Sequence, residues 1–333
     1  RAVLNGILAA HFAVSGPARI NVVDTATGDI RQLITNAARE GAELIIGPLL
    51  REHVTTLAQT DNLPVPVLAL NRTSDNSGRP DLYQFGLAPE DEMRQIAHRA
   101  WQEGHRNVVV ISPASSWGER NTSTFTEQWL ELGGNLVASS KFEDSQDYSG
   151  LVKNLLKVDQ SEQRATELRR ITGERFQFTP RRRQDLDFVL LLANPSQSRS
   201  INPTLAFFYA EDIPVYSSSH VYQYADSRIN VLDLNGIRFC DIPWKLNVTD
   251  PVRDAIESQW ESAKGPLTPF YALGVDAYRI YPRLQQMKEV ANQRVAGTTG
   301  VLKLNQNNAI ERTLMWARFR DGKVIPTSMV FGG

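Results

Sequence analysis

Cysteine is almost absent: the 333 residues contain one, Cys240, so no internal disulfide can form. A single thiol suits the reducing cytosol and equally a cysteine-poor exported protein, and it leaves the compartment open. In Arg238-Phe239-Cys240-Asp241 it alternates with bulky side chains and has no histidine or second cysteine nearby, which is the pattern of a buried strand residue and not of a nucleophile. Histidine is scarce too. His11, His53, His98, His105 and His220 are scattered without ligand spacing, so no metal site is expected and no cofactor is implied. A charge surplus is missing, with 36 basic against 37 acidic residues and a net charge of -1, which removes any global attraction to nucleic acid or anionic lipid. Apolar runs such as Val189 to Ala193 are strand-length, far short of the ~18–20 residues of a transmembrane segment. No G-x-S-x-G elbow, G-x-x-x-x-G-K-[ST] loop, G-x-G-x-x-G turn or H-E-x-x-H helix occurs, so no enzyme class is signalled.

What is present is an ordinary globular composition, 41% hydrophobic and 22% charged. At ~100–200 residues per domain, the length predicts two lobes, each able to bury its own core. The spacing of Leu4, Ile7, Leu8, Ala10 and Phe12 predicts a helix over Arg1 to Val14. Arg19 to Val23 reads as a short strand, Ile30 to Ala38 as a helix, Leu44 to Ile46 as a strand and His53 to Gln59 as a helix. The alternation continues through Pro66 to Leu70, Glu90 to Glu103, Asn107 to Ser112, Glu119 to Leu132 and Asn135 to Ser140. Such alternation builds a parallel sheet covered on both faces, as expected for the continuous run Val108-Val109-Val110-Ile111. The same grammar restarts after Ser112-Pro113 and reaches a strand at Phe188 to Leu192, a helix from about Pro203 to Ala210, and an edge-like strand at Pro214 to Tyr216, entered by proline. Beyond Cys240 come helical stretches at Pro251 to Ala263 and Pro269 to Val290, and strands at Gly300 to Leu304 and Thr313 to Arg320. The last turns at Asp321-Gly322, a strong hairpin signal, into Lys323 to Pro326. A βαβ unit opens with a strand, whereas this chain opens inside a helix with no capping residue, so the first strand is expected to lie outside it.

Two features could carry function. Between Ser161 and Arg183, seven arginines (Arg164, Arg169, Arg170, Arg175, Arg181, Arg182, Arg183) face three glutamates (Glu162, Glu167, Glu174), a local +4. The triple arginine Arg181, Arg182 and Arg183 fits a phosphate-bearing or acidic partner; the plainer alternative is a solvated helix laced by ion pairs such as Glu167 with Arg170. Aromatics are too sparse there for a stacking platform, so nucleic acid is not an expected partner. The second feature is positional, because ligands of doubly wound sheets sit beyond the carboxyl ends of the strands. Those ends supply Gly47, Pro48, Leu49, Asn71, Arg72, Thr73, Ser115, Ser116, Trp117, Asn194, Ser196 and His220 as candidates for lining an inter-lobe cleft.

The order of Ile45-Ile46-Gly47-Pro48-Leu49, Pro66-Val67-Leu68-Ala69-Leu70, Trp117-Gly118-Glu119, Tyr148-Ser149-Gly150-Leu151 and Gly300-Val301-Leu302-Lys303-Leu304 resembles the type I periplasmic binding proteins. That resemblance implies a two-lobed α/β fold, each lobe a doubly wound, mostly parallel sheet flanked by helices. Three connecting strands then make the lobes discontinuous: 1–112 with 241–291, and 113–240 with 292–333. The longer motifs Gln160-Ser161-Glu162-Gln163-Arg164-Ala165, Phe178-Thr179-Pro180-Arg181-Arg182-Arg183-Gln184-Asp185, Leu192-Ala193-Asn194-Pro195, Ile213-Pro214-Val215-Tyr216 and Asp233 to Trp244 are similar to the C-terminal domain of the penicillin-binding protein activator (LpoA) family. In that family an N-terminal helical-repeat domain, absent here, precedes this domain.

The family resemblance implies a non-enzymatic regulator of peptidoglycan synthesis that binds a bifunctional class A penicillin-binding protein, with glycosyltransferase and transpeptidase activities, and stimulates transpeptidation. It also implies a place on the periplasmic side of the outer membrane, lipid-anchored through an N-terminal region outside this chain. The alternative is a receptor for a small amide or amino-acid-like solute serving an ABC transporter. The amino-acid receptors hold their ligand's carboxylate with small hydroxyl residues after the Gly-Pro loop and its ammonium with an acidic residue in the second lobe. Here Leu50, Arg51 and Glu52 follow the first loop, and the serine-rich loop ends at His220 without an acidic side chain. Burying an uncompensated ammonium is costly, which disfavours a free amino acid as an unknown cleft ligand.

Overall fold

The computed structural model describes residues 1–14, 18–73, 78–144, 148–223, 231–246, 249–290 and 292–327. The chain divides into two units, each built from two separated stretches: unit 1 from Arg1–Asp91 and Ile242–Leu314, unit 2 from Glu92–Asp241 and Met315–Gly333. The first stretch holds α1 (Ala2–Ala13), α2 (Ile30–Arg39), β1 (Ile45–Ile46), α3 (Arg51–Ala58), β2 (Val67–Ala69) and β3 (Leu82–Gln84). Asp29 starts α2 by accepting from the Arg31 and Gln32 N–H groups, and the apolar stripe that follows carries Ile30 and Ile34 into a core with Val54, Leu57, Val67 and Leu82. The three strands form a parallel sheet in the order β1-β2-β3. Residues 19–23, expected as a strand, form none: Val22 and Val23 are exposed, and no neighbouring strand among the described residues supplies a ladder.

The chain then passes through α4 (Pro89–Gln102), β4 (Asn107–Pro113), α5 (Ser116–Glu131), β5 (Asn135–Phe142), α6 (Tyr148–Leu155), α7 (Val158–Thr172), β6 (Phe188–Leu191), α8 (Pro195–Phe207), β7 (Val215–Ser217) and β8 (Arg238–Asp241). It continues with α9 (Pro251–Gln259), α10 (Thr268–Ile280), α11 (Leu284–Glu289), β9 (Arg294–Ala296), β10 (Val301–Leu304) and β11 (Ile310–Thr313), and closes with β12 (Met315–Arg320) and β13 (Lys323–Thr327).

Unit 2 has one seven-stranded sheet in the order β13-β12-β8-β7-β6-β4-β5, parallel from β5 to β8 and antiparallel at β12 and β13. Val108 to Ile111 and Phe188 to Leu191 are wholly inaccessible, as strands covered on both faces should be. Phe125 and Trp129 of α5 pack on Phe188, whose ring also meets Tyr216 and His105. The strand entered by Pro214 is not an edge: β7 lies between β6 and β8. Pro214 sits just ahead of the strand, where its missing N–H costs nothing and its carbonyl still accepts from Val189. The helix expected from Pro203 begins earlier, at Asn194, through a capping box with Gln197, and runs through Pro203. The Asp321-Gly322 turn takes positive φ at both positions, 51° and 70°, as a two-residue hairpin requires.

Unit 1 departs from a doubly wound plan. Its second sheet, β11-β10-β9, is antiparallel throughout. The expected bounds at 112 and 291 also shift, to 91 and 314. Hydrogen bonding explains both. β4 pairs with β5 and β6 and so belongs to unit 2, while β9 to β11 form their own sheet, joined to α10 through Asp276. That carboxylate, wholly buried, accepts from the backbone N–H and hydroxyl groups of both Thr298 and Thr299 at 2.6–2.9 Å. The stretch Thr313 to Arg320, expected as one strand, breaks at the buried Leu314. Thr313 pairs with β10 in unit 1, and Met315 onward pairs with β8 in unit 2.

Candidate functional site

In unit 2, β4, β6 and β7 lie side by side, and the chain proceeds from β4 to β5 on one flank and to β6 on the other. Loops leaving β4 and β6 at their carboxyl ends therefore diverge, which is where doubly wound sheets expose backbone and side chains to ligands. Ser115 caps α5, its hydroxyl accepting from the Gly118 N–H at 3.2 Å. Gly118 has no substitute there, because a Cβ would lie 2.2 Å from the Pro113 carbonyl oxygen. Trp117, in the first turn of α5, meets His220 with ring centroids 4.4 Å apart. Asn194 caps α8 in its reciprocal pair with Gln197, both bonds 2.9 Å, and Ser116 and Ser196 are exposed on the first turns of α5 and α8. The unit 2 candidates thus include one direct contact, Trp117 with His220, and four helix-start residues whose polar groups serve the backbone or face solvent.

The loop holding His220 is fixed by a residue the sequence did not single out. Glu92 of α4 accepts from the Ser219 N–H and hydroxyl, both at 2.9 Å. Among the described residues, the hydroxyls of Ser112, Ser198 and Ser218 and the indole N–H of Trp117 are buried without a hydrogen-bond partner. They sit on β4, α8, the end of β7 and α5, the same elements that carry the candidate loops.

Unit 1 sorts its candidates into two groups. Gly47, at φ 123° and joined to Pro48 by a cis peptide, gives its N–H to Leu68, while the Pro48 carbonyl accepts from Leu70 and the Leu49 carbonyl from Asn71 Nδ2 at 3.0 Å. These four residues form one tied corner, with Leu49 and Leu50 exposed. Arg72 and Thr73 turn inward instead. The Arg72 guanidinium forms a two-pronged pair with Asp91, at 2.9 and 3.1 Å, and donates to the Ile310 carbonyl; Thr73 donates its N–H to Gln84 at 2.8 Å. Both side chains are buried, so they brace unit 1 and are not available to a ligand.

The triple arginine is likewise mostly committed. Arg182 donates to the Tyr209 carbonyl and to Asp212, and Arg183 forms a two-pronged pair with Asp185 and reaches the Leu155 carbonyl. Their side chains are 10% and 7% exposed, which removes both from a partner surface. Arg181 alone is exposed, its backbone N–H bonded to the Ser161 hydroxyl. The segment is a strap across the starts and ends of α6, α7 and α8. The charge-assisted bond from Arg183 holds the Asp185 carboxyl down at about 2. Because that folded value is depressed, the pair stabilises above the ordinary carboxylate pKa, and its contribution fades as pH falls toward 2. Arg183→Ala is expected to return the Asp185 midpoint to roughly 3.9 in a carboxyl-detected NMR titration and to lower the melting temperature. Arg181→Ala should change neither, and an unmoved Asp185 midpoint would break this assignment.

Among the described residues no group of three or more histidine, cysteine, aspartate or glutamate side chains could hold a metal ion, and Cys240 is buried in β8. No described helix is long and apolar enough to cross a membrane.

The sequence profile of a family described as LppC putative lipoprotein matches residues 1–322. The penicillin-binding protein activator LpoA of Photobacterium profundum is 28% identical over 314 residues, spanning 93% of this chain and 51% of that protein. LpoA of Klebsiella pneumoniae is 28% identical over 326 residues, 95% of this chain and 46% of that one. The chain spans about half the length of the curated relatives it matches. Among solved structures, the C-domain of Haemophilus influenzae LpoA, described as a regulator of PBP1A, aligns with a TM-score of 0.75 at 22% identity, covering 98% of this chain and 94% of that one. A putative branched-chain amino acid ABC transporter protein from Chromobacterium violaceum aligns with a TM-score of 0.68 at 26% identity, covering 96% and 93%. The two likenesses together give the fold as that of the type I periplasmic binding proteins.

Proposed function

Since this chain belongs to the LppC putative lipoprotein family, we propose that it works by protein contact, binding a bifunctional class A penicillin-binding protein and stimulating its transpeptidation. The observation that carries the reading is similarity to penicillin-binding protein activators along nearly the whole chain, together with a fold matching the C-domain of one of them from end to end. The role is taken as non-enzymatic because the relatives that match nearly the whole chain are named as activators and not as enzymes. A place on the periplasmic side of the outer membrane, held by a lipid anchor, is the location we propose for a member of a family described as putative lipoproteins. The test is association of the purified protein with a class A synthase by biolayer interferometry. A saturable, reversible signal is expected, and its absence at micromolar concentrations of both proteins would remove the proposal.

One observation favours a second reading, a receptor for a small amide or amino-acid-like solute. The buried, unpartnered Ser112, Ser198, Ser218 and Trp117 groups give unit 2 polar atoms with which a ligand could bond. Arg72 and Thr73, committed to the interior of unit 1, speak against it. A true ligand at one hundred times its dissociation constant would stabilise the fold by about 2.7 kcal/mol. A thermal-shift screen of amino acids, amides and cell-wall fragments that finds no such rise excludes this reading.

A further inference from the structure

The arginine-rich helix α7 packs only through its first half. Its buried residues are Val158, Ser161 and Ala165, all in the first two turns, and none follows. From Ala165 to the helix end at Thr172 the backbone runs on for ~10 Å at 1.5 Å per residue with every side chain exposed. An unsupported helix end of this length frays unless local bonds hold it. Here they do. Thr166 and Thr172 return their hydroxyls to the Glu162 and Leu168 carbonyls, and Gly173 closes the helix in the left-handed conformation at φ 70°, its N–H bonded to the Arg169 carbonyl. Arg169 then reaches over the Phe176 ring, 5.2 Å from its centroid, and donates to the Phe176 carbonyl. The returning chain is thereby locked against the helix.

The projecting end shows two faces. One carries Glu162, Thr166, Glu167 and Arg170 and borders an open groove of about 480 Å³; its charges pair with each other, Lys153 with Glu162 at 2.6 Å and Arg170 with Glu167 at 3.8 Å. The other carries Arg164, Leu168 and Ile171 at helical spacing, with Leu168 51% and Ile171 70% exposed. Arg164, Arg175 and Arg181 form no ion pair among the described residues. Residues 164–175 hold four arginines and two glutamates, a net +2, so the other 321 residues sum to -1 - 2 = -3. A small cationic and aliphatic tip is thus held in order on an otherwise nearly neutral chain.

We propose that the Arg164, Leu168 and Ile171 face of α7 is a docking surface for an acidic protein face with an apolar recess. On the functional reading above, on which this inference rests, that face belongs to the class A synthase. Charge complementarity selects the chemistry: Arg164 shares the face of two aliphatic anchors and Arg175 follows just past the helix end, both without an ion pair among the described residues, so that an acidic partner would be steered toward an apolar centre. A membrane surface fits less well. Two aliphatic side chains make a narrow apolar face, and Glu167 and Glu174 lie among the arginines that would meet anionic headgroups.

The experiment compares the wild-type protein with Leu168→Gln/Ile171→Gln, Arg164→Glu/Arg175→Glu and, as a control on α5, Leu130→Gln, whose side chain is also 55% exposed. Glutamine and glutamate favour helix, and all these positions face solvent, so melting temperatures should match. Against the immobilised synthase, the glutamine pair should weaken association roughly tenfold. The charge-reversed pair should slow association and flatten its dependence on salt, and Leu130→Gln should bind as the wild type. Wild-type affinity in both tip variants would overturn the docking surface while leaving the functional reading intact. No binding by the wild type would overturn both. If the tip substitutions instead abolish binding to phosphatidylglycerol vesicles, or self-association in sedimentation, with synthase binding unchanged, the occupant is a membrane or a second copy and the proposal fails.

Discussion

Replacing Arg72 with methionine is expected to destabilise unit 1 by about 3 kcal/mol, the lower end for breaking a buried ion pair. Methionine fills similar volume, so the loss isolates the charge and its bonds and not a cavity. Asp91 would keep a weaker interaction with Arg312, whose Nε lies 3.7 Å away, which is why the figure sits at the low end. The Ile310 carbonyl would lose its guanidinium donor as well. At roughly 2–4 °C per kcal/mol for a body of this size, the melting transition should fall by about 6–12 °C. Arg72→Lys keeps the charge but not the two-pronged geometry, and should fall between the variant and the wild type. A ligand-contacting residue behaves otherwise, since removing it leaves the unliganded protein as stable or more so. An unchanged melting temperature in Arg72→Met would therefore return Arg72 to the list of ligand-binding candidates.

Gly274→Ala should cost about 3 kcal/mol or more, although the same change in an exposed helix stabilises by up to ~1 kcal/mol. The reversal of sign comes from α1 and α10, which pack backbone to backbone. A Cβ on Gly274 would lie 2.1 Å from the Val3 carbonyl oxygen, and one on Gly6 would lie 2.2 Å from the Tyr271 carbonyl oxygen. The obstructing atoms are main chain on both sides, so no rotamer change can relieve the overlap and the helices must separate. Val3, Ile7 and Ala10 would then lose their packing against α10. Circular dichroism melts should record the loss, and hydrogen exchange should place it in α1 first. Melting at the wild-type temperature would mean that the two helices do not approach this closely.

Much of unit 2 was legible because local signals and tertiary structure agree there. Val108 to Ile111 and Phe188 to Leu191 are continuous apolar runs and became doubly covered strands, and Asp321-Gly322 became the hairpin turn its composition demands. Local pattern misled where partners lie far away. Arg19 to Val23 is a β-rich run but has no strand to pair with among the described residues, and Pro214 marked an edge that the sequence could not know was flanked by β8. The candidate site suffered most from the same cause. Arg72 meets Asp91 and Ile310, 19 and 238 positions away, and Arg182 meets Asp212, 30 positions away. No spacing rule relates these positions, so an arginine in a loop looks the same whether it will bind a partner or brace a core. Glu92 was invisible for another reason: an acidic residue in the first turn of a helix is expected from the helix dipole alone, and its bond to Ser219 appears only in three dimensions.

If this chain raises the transpeptidase output of a class A synthase by binding it, cross-linking must follow its concentration. The most direct measurement is the fraction of cross-linked muropeptides that the synthase makes from lipid-linked precursor, with and without the protein, over a concentration series. A saturable rise in cross-linking is expected, with the half-point near the binding constant and no product from the protein alone. An unchanged cross-linked fraction, at concentrations where binding to the synthase is complete, would contradict it.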